Sequence, residues 1–100
     1  MAVNPRIQWD EAKRQANLDK HGLDFMDAVW VLESSYRLDV QRVRNRERRT
    51  QSFAYVFDVP AVLTVVHVAR DGALRIISFR PASEDERSAY HVWLENDYGA

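Results

Sequence analysis

Residues 61–81 read AVLTVVHVARDGALRIISFRP: two runs rich in β-branched residues, Ala61–Arg70 and Ala73–Arg80, joined by Asp71-Gly72 and closed by Pro81. Asp-Gly between two such runs is a strong hairpin signal, because both residues accept the left-handed backbone of a tight turn. Working back from the hairpin, Thr50–Val59 alternates, with Phe53, Tyr55, Phe57 and Val59 on one face, until Pro60 breaks it. Tyr36, Leu38 and Val40 alternate with Arg37 and Asp39, and the polar stretch Gln41–Arg48 turns near Asn45. Further upstream, Ile7-Gln8-Trp9 is a short extended stretch. Asp10 caps a helix over Glu11–His21, which Gly22 ends. Only Ala12, Ala16 and Leu18 give that helix an apolar face. Asp24 caps a second helix, where Phe25, Ala28, Val29 and Leu32 fall on one stripe. Downstream, Ser83-Glu84-Asp85-Glu86 is a capping box opening a helix with Ala89, Tyr90, Trp93 and Leu94 on its apolar side.

The order β-α-α-β-β-β-β-α predicts an α+β domain with a mainly antiparallel sheet of four to five strands. Two N-terminal helices cover one face and a C-terminal helix follows, leaving a second face for solvent or a ligand. One hundred residues suit a single domain, 1–100, with a compact core over about 7–95 and a short N-terminal extension, 1–6. There is no cysteine, which excludes a disulfide scaffold and fits a reducing, cytoplasmic compartment. No apolar run approaches the ~20 residues of a membrane span, so no membrane partner is expected.

The formal net charge of −1 conceals a segregation. Residues 1–36 carry a net −2, residues 37–81 a net +5, and residues 82–100 a net −4. Six arginines lie within Arg37–Arg49, and only Lys13 and Lys20 among the fourteen basic residues are lysines. The planar fork of arginine suits phosphate and carboxylate better than a lysine does. The alternative is a solvated, arginine-rich hairpin.

Which side chains share the second face depends on the hairpin register. A two-residue loop pairs Arg70 with Ala73 and turns Arg70 away from His67, Ser78 and Arg80. A three-residue loop pairs Arg70 with Leu74 and lines up Arg70, Ser78 and Arg80; this register is expected, because it gathers the arginines at one cleft. His21, His67 and His91 stand in no metal-ligand spacing, so neither a metal nor a cofactor is expected. Glu47, beside Arg46, Arg48 and Arg49, is a candidate proton-transfer group or a member of a surface ion-pair network. Lys20-His21 suits a phosphate contact or simply complements a helix C-terminus. Arg80, ending an apolar strand, has either a ligand or an acid of the last helix as partner.

The segments Trp9-Asp10, Lys20-His21-Gly22-Leu23-Asp24-Phe25 with Ala28, Glu47-x-Arg49 and Arg70-Asp71-Gly72 resemble the BrnT family. So, above all, does Arg75-Ile76-Ile77-Ser78-Phe79-Arg80-Pro81-Ala82-Ser83 with Glu86-Arg87 and Tyr90. The resemblance covers roughly residues 7 to 94. It departs at Ala54, where such families usually carry glycine. It implies a small RelE-like ribonuclease toxin of a bacterial type II toxin–antitoxin system, cleaving RNA without metal through arginines and so inhibiting translation and growth. RNA supplies its own nucleophile, the 2′-hydroxyl, so the protein need only position the backbone, move protons and neutralise the developing charge. On this reading Arg80, Arg70 and Glu47 are catalytic, with His67 as the reserve base. Lys20, His21, Arg49 and Ser78 contact substrate. The partner implied is a cognate antitoxin, typically a ribbon-helix-helix DNA-binding protein, through which the toxin touches DNA only indirectly. The competing expectation is a non-catalytic interaction module, or an inactive toxin homologue that binds an antitoxin or RNA without cleaving it.

Overall fold

The computed structural model describes residues 6–98, so the expected extension lies outside the described residues except for Arg6. The chain runs β1 (Arg6–Gln8), α1 (Glu11–His21), a 3-10 turn (Phe25–Ala28) leading into α2 (Val29–Leu32), β2 (Leu38–Arg44), β3 (Glu47–Val56), β4 (Ala61–Arg70), β5 (Ala73–Pro81) and α3 (Glu84–Tyr98). Five strands form one sheet in the order β1-β5-β4-β3-β2. All neighbours are antiparallel except β1, which pairs parallel with β5 through Ile7 opposite Leu74.

Local chemistry accounts for the element ends. Asp10 accepts from the backbone N–H groups of Ala12 and Lys13, and Gly22 closes α1 with φ +70°. Asn45 and Arg46, with φ of 53° and 65°, make the tight turn between β2 and β3, so both strands extend further into the polar stretch than alternation suggested. β3 stops at Val56, leaving Phe57 in the turn that follows. The capping box forms reciprocally: Ser83 Oγ accepts from the Glu86 N–H at 3.2 Å, and Glu86 Oε1 accepts from the Ser83 N–H at 2.8 Å.

Two cores lie on opposite faces of the sheet. Phe25, Ala28 and Val31 pack with Ala54, Val56, Leu63, Val65, Ile76 and Phe79 on one face. Tyr90 and Ala82 pack with Phe53 and Val62 on the other. Because alternate strand residues point to opposite sides, α3 covers part of the face expected to be open. Tyr90 fixes it there, donating to the Tyr36 carbonyl at 2.7 Å and accepting from the Tyr55 N–H at 3.4 Å. Ala54 is wholly buried in the first core, opposite Leu63, so its methyl group is accommodated without breaking the ladder.

α1 docks by polarity rather than by an apolar stripe. Ala12 and Ala16 are exposed, and the buried residue of the helix is Asn17. Its side chain donates to the Phe79 carbonyl at 2.8 Å and to the Leu23 carbonyl at 2.9 Å, and accepts from the Phe79 N–H at 3.1 Å. β1 covers β5 only as far as Arg75. Asn17 therefore satisfies main-chain groups on the part of the β5 edge that β1 leaves open.

Candidate functional site: an arginine-lined cleft

The hairpin register corrects the expectation. Arg70 pairs with Ala73 across a two-residue turn in which Asp71 and Gly72 have φ of 53° and 74°. The ladder then shifts: His67 pairs with Ile76, but Val66 pairs with Ser78, leaving Ile77 as the extra residue of a bulge. One inserted residue inverts side-chain parity from there onward. Thr64 consequently opposes Arg80, and Arg70, Ser78 and Arg80 share one face although the three-residue loop does not form. A bulge, not the loop, gathers them.

That face holds a cleft of about 470 Å³ beside the N-terminus of α3. Arg42, Arg44, Arg49 and Arg80 line it, with Gln51 and Ser78 between them. The cross-strand register puts Arg42 opposite Arg49 and Gln51 opposite Val66, which fixes these positions through the backbone. Glu86 anchors the inner wall. Its carboxylate takes a two-pronged bond from Arg80, at 2.8 and 3.1 Å, and a third from Gln51 Nε2 at 2.8 Å. Gln51 in turn accepts from Arg42 Nε at 3.3 Å, linking the two sides of the cleft.

These donors act on titration. Hydrogen bonds from Arg80 above all, then from the Ser83 N–H and Gln51, outweigh burial and push Glu86 down to about 2 from an ordinary 4.5. A carboxylate depressed on folding adds stability above its ordinary range and loses it as pH falls toward the folded value. Chemical denaturation between pH 6 and pH 2.5 is expected to show stability falling below about pH 5, and Glu86→Gln to be less stable at pH 6 with a shallower acid decline. An unchanged acid slope in that variant would remove Glu86 from this role.

The remaining candidates fall into three groups. Glu47 and Arg70 stand at the outer end of the same face, where Glu47 bridges Arg49 and Arg70 at 3.2 Å each. Neither Glu47 nor Arg70 lines the cleft itself. Lys20 and His21 come to the β5 edge because Asn17, on the preceding turn of α1, is bonded to Phe79, the neighbour of Arg80. The pKa of His21 lies below the ordinary histidine value, through burial first and then the charges of Lys20 and Arg80.

His67 lies on the reverse face. It is buried, its Nε2 2.8 Å from Ser52 Oγ, which donates to Asp39 at 2.6 Å, and burial lowers its pKa. The sheet separates it from the arginines of the cleft. Sequence reasoning did not single out Asn17, Gln51 or Glu86 as site residues; the one available hint was the prospect of an acid from the last helix meeting Arg80.

Fold and cleft define a class: a small α+β protein whose mixed sheet presents forked cations to an anion at one end. Residues 9–86 match the family described as ribonuclease toxin, BrnT, of type II toxin-antitoxin system, and the chain belongs to that family. No curated protein matches it. Family membership carries with it a ribonuclease toxin, an RNA substrate and an antitoxin partner. Among the described residues, no helix is long and apolar enough to cross a membrane.

Proposed function

We propose that this chain is a RelE-like endoribonuclease that cleaves RNA without a metal ion, inhibits translation and growth, and is neutralised by a cognate antitoxin of the ribbon-helix-helix type. It is read as a single domain acting in the cytoplasm. The observation that carries the reading is the cleft with Arg42, Arg44, Arg49 and Arg80 on its walls, in a chain of the BrnT family. Four clustered guanidiniums suit a phosphodiester and repel a divalent metal.

In the proposed reaction the ribose 2′-oxygen attacks the adjacent phosphorus and the bond to the 5′-oxygen breaks. The products are a 2′,3′-cyclic phosphate and a 5′-hydroxyl. Arg80 binds the scissile phosphate, exchanging part of its bond to Glu86 for phosphate oxygens, while Arg42 and Arg49 neutralise charge from across the cleft. Glu47 holds the forks of Arg49 and Arg70 toward the substrate path. His21, whose pKa burial holds below the ordinary histidine value, takes the 2′-proton, and solvent water protonates the departing 5′-oxygen. Lys20 and Ser78 contact the flanking backbone.

The test incubates purified protein with a defined RNA in EDTA. Cleavage is expected to persist, to yield cyclic-phosphate ends, and to stop when a 2′-deoxynucleotide occupies the scissile position. Loss of cleavage in EDTA, with recovery on adding Mg²⁺, would overturn the metal-free reading. In the same assay Glu47→Gln is expected to retain more activity than His21→Asn, which loses about 10²–10⁴-fold.

A further inference from the structure

At the end of the same sheet face away from the cleft, the surface changes character. Tyr36, Tyr55, Phe57, Tyr90 and Leu94 line a groove of about 430 Å³ between α3 and the turn after β3. Phe57 is 82% exposed and Tyr36 50% exposed. Phe57 meets Tyr55 edge to face, with ring centroids 5.0 Å apart, and so stands upright beside the groove. A second hollow, sharing Ser34, Tyr55 and Phe57 with the first, continues the surface to Trp30. Clustered exposed aromatics mark an interaction site. The rim is acidic: Glu95 borders the first hollow, Glu33 and Asp58 the second, and all three are exposed.

The rim selects the occupant. Nucleic acid is disfavoured, since three carboxylates repel phosphate. A symmetric pairing of two copies through this groove sets the same acids against one another, a like-charge arrangement that costs affinity. A different protein, with apolar side chains for the groove and Lys or Arg on its flanks, meets neither obstacle. We infer that this groove is the docking site of the antitoxin, which inserts an amphipathic segment with aliphatic or aromatic anchors beside Phe57 and basic residues against Glu33, Asp58 and Glu95. This inference rests on the antitoxin reading above. It leaves the arginine cleft to RNA, with α3 joining the two surfaces: Glu86 in its first turn bonds Arg80, and Leu94 lines the groove.

The test uses the purified protein encoded by the adjoining gene as the antitoxin, with affinity measured by titration calorimetry. Phe57→Asp is expected to weaken binding by about 30-fold or more, with thermal unfolding and RNA cleavage unchanged. Glu95→Lys is expected to weaken it chiefly at low salt, which supplies a second reading if Phe57→Asp fails to fold. Wild-type protein that binds and is neutralised, with both variants within threefold of it, would overturn the docking site alone. Absence of wild-type binding would overturn the antitoxin reading and the docking site together. A wild-type dimer that Phe57→Asp converts to monomer, with antitoxin binding intact, would make the groove a seam between copies and overturn the inference.

Discussion

Replacing Arg80 with alanine is expected to lower the rate of RNA cleavage by about 10²–10³-fold, the usual cost of removing one preorganised donor to developing charge. Arg80 suits this role because its guanidinium is held, not floating. Its two-pronged bond to Glu86 fixes the fork in the cleft, and Gln51 and the Ser83 N–H fix Glu86 in turn. The strand geometry adds the rest, since the bulge at Ile77 aims Arg80 onto the face of Arg42 and Arg49. Arg80→Lys keeps the charge without the planar fork and is expected to fall between wild type and alanine.

The alanine variant leaves Glu86 with two donors and is expected to lose about 1–2 kcal/mol of stability. Its activity is therefore read on protein shown to be folded by circular dichroism. Single-turnover rates on a saturating RNA separate the chemical step from binding. A wild-type single-turnover rate in folded Arg80→Ala would end the assignment.

The second large effect is expected at a residue that touches no substrate. Asn17→Ala removes three hydrogen bonds, and two of them satisfy the N–H and C=O of Phe79, which is completely buried. Leaving such groups without partners costs far more than a typical exposed bond contributes. The expected loss is about 2–4 kcal/mol, read as a lower urea midpoint with an unchanged slope.

A functional consequence follows from the same bonds. They hold the last turn of α1, with Lys20 and His21, against β5, close enough for the charge of Arg80 to act on His21. Small misplacements of reacting groups are costly, so folded Asn17→Ala is expected to cleave RNA up to about 10²-fold more slowly. A purely structural role would lower the midpoint and leave the rate of the folded fraction unchanged. An unfolding free energy within about 0.5 kcal/mol of wild type would show instead that water replaces the lost partners.

Most elements are legible because their determinants lie a few residues apart. The Asp71-Gly72 turn, the alternation of β3 and β4, the caps at Asp10, Gly22 and Asp24, and the Ser83–Glu86 box each rest on local stereochemistry. Arginine enrichment and the separation of +5 and −4 segments are likewise properties of the chain. The +5 segment supplies three arginines of the cleft from Arg42 to Arg49 and the fourth at Arg80. The acid rim of the groove, by contrast, draws Glu33, Asp58 and Glu95 from all three segments and is assembled only by the fold. The resemblance to the family rests above all on Arg75–Ser83 with Glu86, Arg87 and Tyr90, and the family match extends over residues 9–86.

The details of the site were less legible because they depend on parity and on distant partners. A bulge has no local spelling in Arg75-Ile76-Ile77-Ser78, yet one extra residue decides which face Arg80 occupies. The expected register reached the right grouping through a loop that does not form. His67 reads as a reserve base, but it lies on the reverse face, buried against Ser52 and away from the cleft. Asn17 sits in a helix that looks too polar to pack, and its meaning lies 62 positions away at Phe79.

The sequence by itself determined the elements, their order, the segregated charge and the family, because turns, caps, alternation and motifs are set between near neighbours. Tertiary structure alone decided which face each arginine shares, that Glu86 and Gln51 clamp Arg80 into the cleft, that Asn17 closes the edge of β5, and that α3 borders both the basic cleft and the apolar groove. Those outcomes depend on ladder register and on bonds between residues far apart in the chain, which local stereochemistry does not constrain.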